Sequence, residues 1–392
     1  MRQKARSGLR LRLLGSRLSS TCSPRLLAAL VACALVTTGV LAVGASRVRA
    51  AIERVGAPAP DFTCARCLNH APFKLSDLRG KVVLVDFWEY TCINCIRTFP
   101  YLRRWDKLYS PLGLVIVGVH TPEFEFAKNP ERVIEATKRF GFDFPIAIDS
   151  DYKIWYAFHN EAWPADYLID KDGNIAYAHV GEGEYGFFEQ KIQELLKQAN
   201  PSLTFSQPEY KISDDENVEL GSSVCMRATP ETYLGFAQSR NLANLTGEEH
   251  DSQVIYSPPA NLPLDDFALR GQWFASAEFV RHDATARPPG DSVALHYRAK
   301  SVYLVAGSDD SKPRRLYLMQ DERPLPKAAW GVDVRAGSDG RTYIELGGKR
   351  MYYLVNNSEF GGHLLQLYAL EPGLSLYSFT FGNNCENNFA HR

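Results

Sequence analysis

The chain has 392 residues, enough for two domains of ordinary size and a targeting segment. An apolar content of 45% and a charged content of 23% are those of a folded soluble protein. A net charge of −1 argues against nucleic acid as a partner, because no excess of Lys and Arg exists to track phosphates.

That balance hides a local asymmetry. Residues 1–25 form a basic tail that carries Arg2, Lys4, Arg6, Arg10, Arg12, Arg17 and Arg25 and no acid. The next stretch, "LLAALVACALVTTGVLAVGA" over residues 26–45, has no charge and matches the length a helix needs to cross a bilayer. The basic flank places the N-terminus in the cytoplasm, so the sequence predicts a signal-anchor with the folded part on the exported side. The alternative is a cleaved signal peptide, with "VRA" before Ala51 as the cleavage site. The apolar run exceeds the usual signal core, which favours the single transmembrane helix. Either way the cysteines meet an oxidising compartment, where disulfides persist.

Residues 46–59 read as a polar, Pro-terminated linker, and residues 60–200 as an α/β domain. "KVVLVDFW" (Lys81–Trp88) and "LGLVIVGVH" (Leu112–His120) are continuous apolar runs, as expected of strands buried on both faces. Between them Ile96, Phe99, Leu102, Trp105 and Leu108 predict one face of a helix that begins near Cys92. Asn129–Gly141 predicts a second helix with an Asn cap and a Gly stop. Asp166–Val180 predicts a hairpin around an Asp-Gly turn, and a last helix follows from about Phe187 to Ala199. Residues 201–218 read as a second linker. From 219 to 392 short β-rich runs such as "SVYLVAG" and "RMYYLVN" alternate with turns, which predicts an all-β sandwich.

The chemistry concentrates in "VDFWEYTCINCIRTFP" (Val85–Pro100), where a buried strand gives way to a helix. Cys92 falls at the helix start, against unsatisfied backbone N–H groups and the positive end of the helix dipole. Those lower a thiol's pKa, so Cys92 is expected to be the attacking nucleophile. Cys95, one turn inside, is expected to resolve the mixed disulfide. Ile93 and Asn94 between them would tune the potential. Asp86 lies within an apolar strand, where an isolated carboxylate is costly. Desolvation there would raise its pKa and fit it to take the proton of Cys95. The alternative for Asp86 is a carboxylate at a sheet end that reaches water. Pro100 falls inside the predicted helix, and Pro164 in "EAWPADYLID" precedes a strand.

These residues in this register, with Trp88 before the pair, resemble the thioredoxin active site. "APAPDFT" and "LSDLRGKVVLVDFW" add a resemblance to the membrane-tethered TlpA/ResA-like proteins. "EYTCINC", "GVHTPEF", "WPADYLID" and "HVGEGEY" resemble the exported C-terminal part of the DipZ family. The resemblance implies a thioredoxin-like fold followed by a jelly-roll sandwich similar to carbohydrate-binding modules. It implies a thiol–disulfide oxidoreductase with Cys92 as nucleophile, Cys95 as resolver, Asp86 as buried acid and Pro164 as a cis-proline. It needs no cofactor beyond the Cys92–Cys95 redox pair. Its partners would be protein disulfides and, since the chain has one span where DipZ proteins carry an electron-conducting domain, a separate membrane electron donor or acceptor. By the same analogy it acts as a reductant, in cytochrome c maturation or thiol maintenance. A further departure is Thr98, where TlpA/ResA-like proteins often have Glu.

Other readings stay open. Cys64 and Cys67 in "TCARCLNH" form a second CxxC: a structural or accessory disulfide, a redox relay, or half of a four-cysteine zinc site. Cys225 and Cys385, near the two ends of the β domain, are a candidate structural disulfide, and Cys22 and Cys33 are inert thiols. A copper-carrier reading would recruit His120 or His159. A binding-module reading would use the sandwich to hold a glycan or protein ligand, although aromatic strand residues such as Trp273, Trp330, Tyr352 and Tyr353 are more often core.

Overall fold

The computed structural model describes residues 54–205, 227–285 and 290–382, all within one compact unit. The anchor predicted over 26–45, together with Cys22, Cys33, Cys225 and Cys385, lies outside the described residues. Among the described residues no helix is long and apolar enough to cross a membrane.

The first half runs β1 (Thr63–Cys64), β2 (Cys67–Leu68), β3 (Phe73–Lys74), β4 (Val82–Trp88), α1 (Ile93–Tyr109) and β5 (Leu114–His120). It continues through α2 (Pro130–Phe140), β6 (Ile146–Ile148), α3 (Lys153–Ala157), β7 (Ala165–Ile169), β8 (Ile175–Val180) and α4 (Tyr185–Ala199). Six of these strands form one mixed sheet in the order β2-β6-β5-β4-β7-β8. Central β4 is parallel to β5 and antiparallel to β7. Every residue of β4 is buried, because the two faces of the sheet carry separate cores. Val82, Leu84 and Trp88 point to the side of α1 and α4, and Val83, Val85 and Phe87 to the side of Trp155 and Phe158. That is why the run reads as continuously apolar. A side chain on Gly118 of β5 would come within 3.0 Å of the Trp88 indole nitrogen and closer still to Ile146, so any larger residue would force the tryptophan's neighbours to shift.

The helix signals act as written. Asn129 Oδ1 accepts from the Glu131 N–H at 2.9 Å at the start of α2, and Gly141 ends it at φ +65°. Leu108 departs from expectation. It is 44% exposed, because steps of three residues along a helix of 3.6 per turn drift off the buried face.

The second half runs β9 (Thr232–Tyr233), β10 (Ser252–Tyr256), β11 (Phe267–Ala275), β12 (Val280–His282), β13 (Asp291–Ser308) and β14 (Arg314–Gln320). Then follow β15 (Arg323–Pro324), β16 (Arg335–Ala336), β17 (Thr342–Leu346), β18 (Arg350–Ala369) and β19 (Leu374–Gly382). The expected all-β domain is present as one 11-stranded sheet rather than two separate ones. The long strands β13 and β18 pair with each other throughout, with register shifts between Ala299 and Ser301 and between Val302 and Tyr303. Before the first shift β13 pairs with β11, and from Ser301 onward with β19. The two parts of β13 also differ in burial. From Val293 to Lys300 buried residues mostly alternate with half-buried ones, whereas Ser301–Ser308 is buried throughout. In that second part Val302, Leu304 and Ala306 face the β core, while Tyr303 and Val305 join a cluster containing Ile93 and Phe124 of the first half. The outer face of the sheet is therefore dry where the α/β layer covers it. Trp273 and Tyr352 are core residues, Trp330 packs against that core, and Tyr353 lies at the seam between halves. None of these four stands free on an exposed face.

Candidate functional site

The strand β4 ends at Trp88, and a four-residue turn leads into α1. Cys92 is the N-cap of that helix, and its Sγ accepts from the Cys95 backbone N–H at 3.2 Å. Cys92 is partly exposed, Cys95 is fully buried, and both are free thiols. Trp163–Pro164 is a cis peptide bond at the head of β7. Asn94 is exposed, whereas Ile93 is only 3% exposed. Trp88 is a core residue, edge-on to His120 at 5.0 Å and to Phe99 at 5.5 Å. Thr98 is buried and donates to the Cys95 carbonyl at 2.8 Å. It thus secures the first turn of the helix without adding a charge.

Beneath the thiols lie two carboxyls. Alternation along β4 puts Asp86 on the face of Val82, Leu84 and Trp88, which is the face that meets α1 and Cys95. The reading of Asp86 as a water-reaching end residue is wrong, since the side chain is completely buried. Its cross-strand partner in β7 is Asp166, also buried and on the same face as Leu168. Burial pushes both carboxyls up, and for Asp86 the neighbouring Asp166 adds to it. Two carboxylates side by side in a dry site do not both ionise, so the pair holds a proton. Burial likewise drives the Cys95 thiol well above the usual range, with Cys92 and Asp86 contributing and the Glu89 backbone N–H opposing.

One expectation is corrected. The helix cap on Cys92 forms, yet its thiol is raised above the ordinary value rather than lowered. Enclosure outweighs the hydrogen bonds from Cys95, and the carboxyls of Glu123 and Glu231 push the same way. Cys92 packs against the α/β core, while its neighbour Ile93 meets the β half. Ile93 packs in a cluster with Phe124, Tyr303, Val305, Met351 and Tyr377. The loop after β5 is held to the β domain by three contacts. Tyr233 Oη donates to Glu123 Oε1 at 2.5 Å, the Glu125 N–H donates to the Glu278 carboxylate at 3.0 Å, and Phe126 meets the Tyr377 ring at 4.8 Å. Burial and Glu231 raise the Glu123 carboxyl strongly, and burial pushes Glu231 itself up to about 7.

Asp166, Glu89, Glu123 and Tyr233 all escaped the sequence reading. Asp166 had one available signal, an acid within the apolar run after Pro164. Nothing in a single sequence shows that it faces Asp86. Glu89 is fully buried, with Oε2 accepting from the Thr91 N–H at 2.6 Å and Oε1 lying 3.8 Å from His120 Nε2. His120 is fully buried and stacks on Tyr90 with ring centroids 5.4 Å apart.

Cys64 and Cys67 are joined as a disulfide with a Cα–Cα distance of 5.2 Å. They lie on β1 and on the sheet-edge strand β2. Their sulfurs bond to each other rather than to Cys92 or Cys95. Among the described residues no three His, Cys, Asp or Glu side chains are grouped to hold a metal ion.

Comparison with known proteins agrees with this geometry. The Redoxin family model matches residues 54–196, and the family described as "Thioredoxin like C-terminal domain" matches residues 229–382. The protein DipZ of Mycobacterium bovis is 32% identical over 314 residues, which is 80% of this chain and 41% of that protein. The chain therefore spans about two fifths of the length of the DipZ proteins it matches. The thiol–disulfide oxidoreductase ResA of Geobacillus kaustophilus is 35% identical over 128 residues, 32% of this chain and 70% of that protein. A solved thiol:disulfide interchange protein of the thioredoxin family from Chlorobium tepidum is 23% identical, with 36% of this chain and 95% of that one covered at a TM-score of 0.32. With a free CxxC at a helix start, a buried acid below it and these relatives, the chain belongs to the thioredoxin-like thiol–disulfide oxidoreductases of the TlpA, ResA and DipZ type.

Proposed function

We propose that this chain exchanges disulfides with exported proteins, acting as a reductant. The observation that carries the reading is the reduced Cys92–Cys95 pair set above the Asp86–Asp166 carboxyl pair. Cys92, as the partly exposed thiol, loses its proton and attacks one sulfur of the substrate disulfide. That bond breaks, one substrate thiolate leaves, and a mixed disulfide forms. Cys95 then gives its proton to the carboxyl pair and attacks Cys92, which releases the second substrate thiolate. The outcome is a reduced substrate and a Cys92–Cys95 disulfide. Enclosure raises the Cys92 thiol, so the attacking thiolate becomes more abundant as pH rises.

The reading extends to place and partners. The basic tail and apolar run before residue 46 support anchoring to a membrane with the folded part on the exported side, and the Cys64–Cys67 disulfide is in keeping with an oxidising compartment. Reducing equivalents, two electrons and two protons per cycle, would come from a separate membrane partner. Apocytochromes awaiting haem are the candidate substrate class, and the β domain would hold a glycan or protein ligand. Reduction of insulin by dithiothreitol, wild type against Cys92→Ser, tests the activity, and equal rates would remove it. The reduction potential of Cys92–Cys95 tests the direction, since a strongly oxidising value would make the protein an oxidant.

A further inference from the structure

At the seam between the two halves lies a cavity of about 200 Å³ that the thiol chemistry does not use. Its α/β wall is made by Tyr90, from the turn before Cys92, and by Arg132, Glu135 and Arg139, which share one face of α2 at helical spacing. Its β wall is Lys349 and Arg350, at the start of β18. Four cations thus face one carboxylate, Glu135.

The cations differ in how far they are neutralised. Arg350 is clamped by Asp333 at 2.7 and 3.2 Å, and Lys349 Nζ lies 3.5 Å from Asp309. Arg132 donates only to the Lys349 carbonyl at 3.2 Å, and the Arg139 guanidinium lies over the Phe140 ring at 4.5 Å. Among the described residues neither arginine forms an ion pair with a carboxylate, Arg132 meeting the Lys349 carbonyl and Arg139 the Phe140 ring. Arg139 feels Arg350 across the cavity as a repulsion, which together with burial lowers its pKa. Like charges from two layers meet here, and the nearby carboxylates are Glu135 in the wall and the buried Glu89, too few to neutralise four cations. The neutral donor is also unused. Tyr90 is only 3% exposed, and its hydroxyl has no hydrogen-bond partner, although its ring is fixed by stacking on His120 at 5.4 Å. A buried hydroxyl without a partner is costly, and here it feels the Glu89 carboxylate first and then the opposing charges of Arg132 and Arg139.

We propose that this seam pocket binds a small oxyanion, a phosphate or carboxylate borne by a small molecule, between Arg132, Arg139 and the Tyr90 hydroxyl. Such a group supplies acceptors to all three donors and cancels the repulsion between the two walls. Since the walls come from both halves, the ligand also fastens the β layer beside the CxxC turn. Binding does not depend on the redox state or on turnover, so it stands or falls apart from the oxidoreductase reading.

The test is calorimetric titration of the full chain with inorganic phosphate and, separately, with glucuronate, at constant ionic strength set by chloride. Saturable binding of either anion is expected, with a matching rise in thermal unfolding temperature. Phosphate alone would assign an inorganic or phosphoryl ligand, and glucuronate alone a carboxylate sugar. Arg139→Gln should weaken binding by about tenfold or more, and Tyr90→Phe by less. Lys107→Gln, which removes the same charge from an exposed site on α1, should leave affinity unchanged. No saturable binding of either anion, equal affinity in Arg139→Gln, or equal weakening in Lys107→Gln would each overturn the proposal.

Discussion

Two cysteine pairs in this chain share one spacing and have opposite chemistry. Cys64 and Cys67 lie on two short strands at the edge of the α/β layer and are bonded to each other. Cys92 and Cys95 straddle the first turn of α1 and are free. A CxxC is thus defined by what surrounds it. The first pair has a sheet edge for surroundings. The second has a helix N-terminus above, a shared-proton carboxyl pair below and a second domain at its side.

The sharpest way to break this contrast is to remove one pair at a time. Cys92→Ser should abolish insulin reduction, a loss of at least about a hundredfold, whereas Cys64→Ser with Cys67→Ser should keep most of it. If the double variant loses turnover as completely, the first pair is a relay and the contrast fails.

Asp86→Asn probes what lies below the active pair. Loss of the proton acceptor should slow resolution by about a hundredfold and let the Cys92 mixed disulfide accumulate, visible by mass spectrometry after acid quench. It also has a stability signature. An unfolded Asp titrates near 3.9, and both native carboxyls are raised. The native state therefore binds more protons over the window from about pH 4 up to the raised values. Stability from this source is complete below pH ~4 and declines as pH rises through the native values. Urea midpoints across pH should show that decline in the wild type and a flatter profile in Asp86→Asn.

The Cys64–Cys67 bond closes a very short loop, so its removal should cost about 2 kcal/mol in urea unfolding, without shifting the pH profile of turnover. The smallest effect concerns Cys92 itself. Its alkylation by iodoacetamide should rise with pH along a curve displaced above the free-cysteine value of about 8.5, because enclosure outweighs the helix cap. A midpoint well below that value would show that the thiol is not desolvated.

Much of the α/β half was legible because its signals are local. Buried strands read as apolar runs, Asn129 and Gly141 mark the ends of α2, and the Asp-Gly turn marks the β7–β8 hairpin. The CxxC was legible for the same reason, since strand, turn and helix are contiguous. Asp166 was not, because a cross-strand register joins residues eighty apart without leaving a trace in either segment. The β half was legible in class and not in topology. The bends in β13 and β18 depend on what covers them.

By itself the sequence indicated the main strands and helices of the α/β half, where the helix places Cys92, and that Asp86 falls within an apolar strand beside the pair, because these follow from periodicity and capping. Only the tertiary structure decided which way the Cys92 thiol shifts, that Asp86 shares its site with Asp166, and that cations from two layers meet at Tyr90. Those properties are sums over neighbours distant in the chain, and desolvation and Coulomb interactions depend on distance in space rather than on order in sequence.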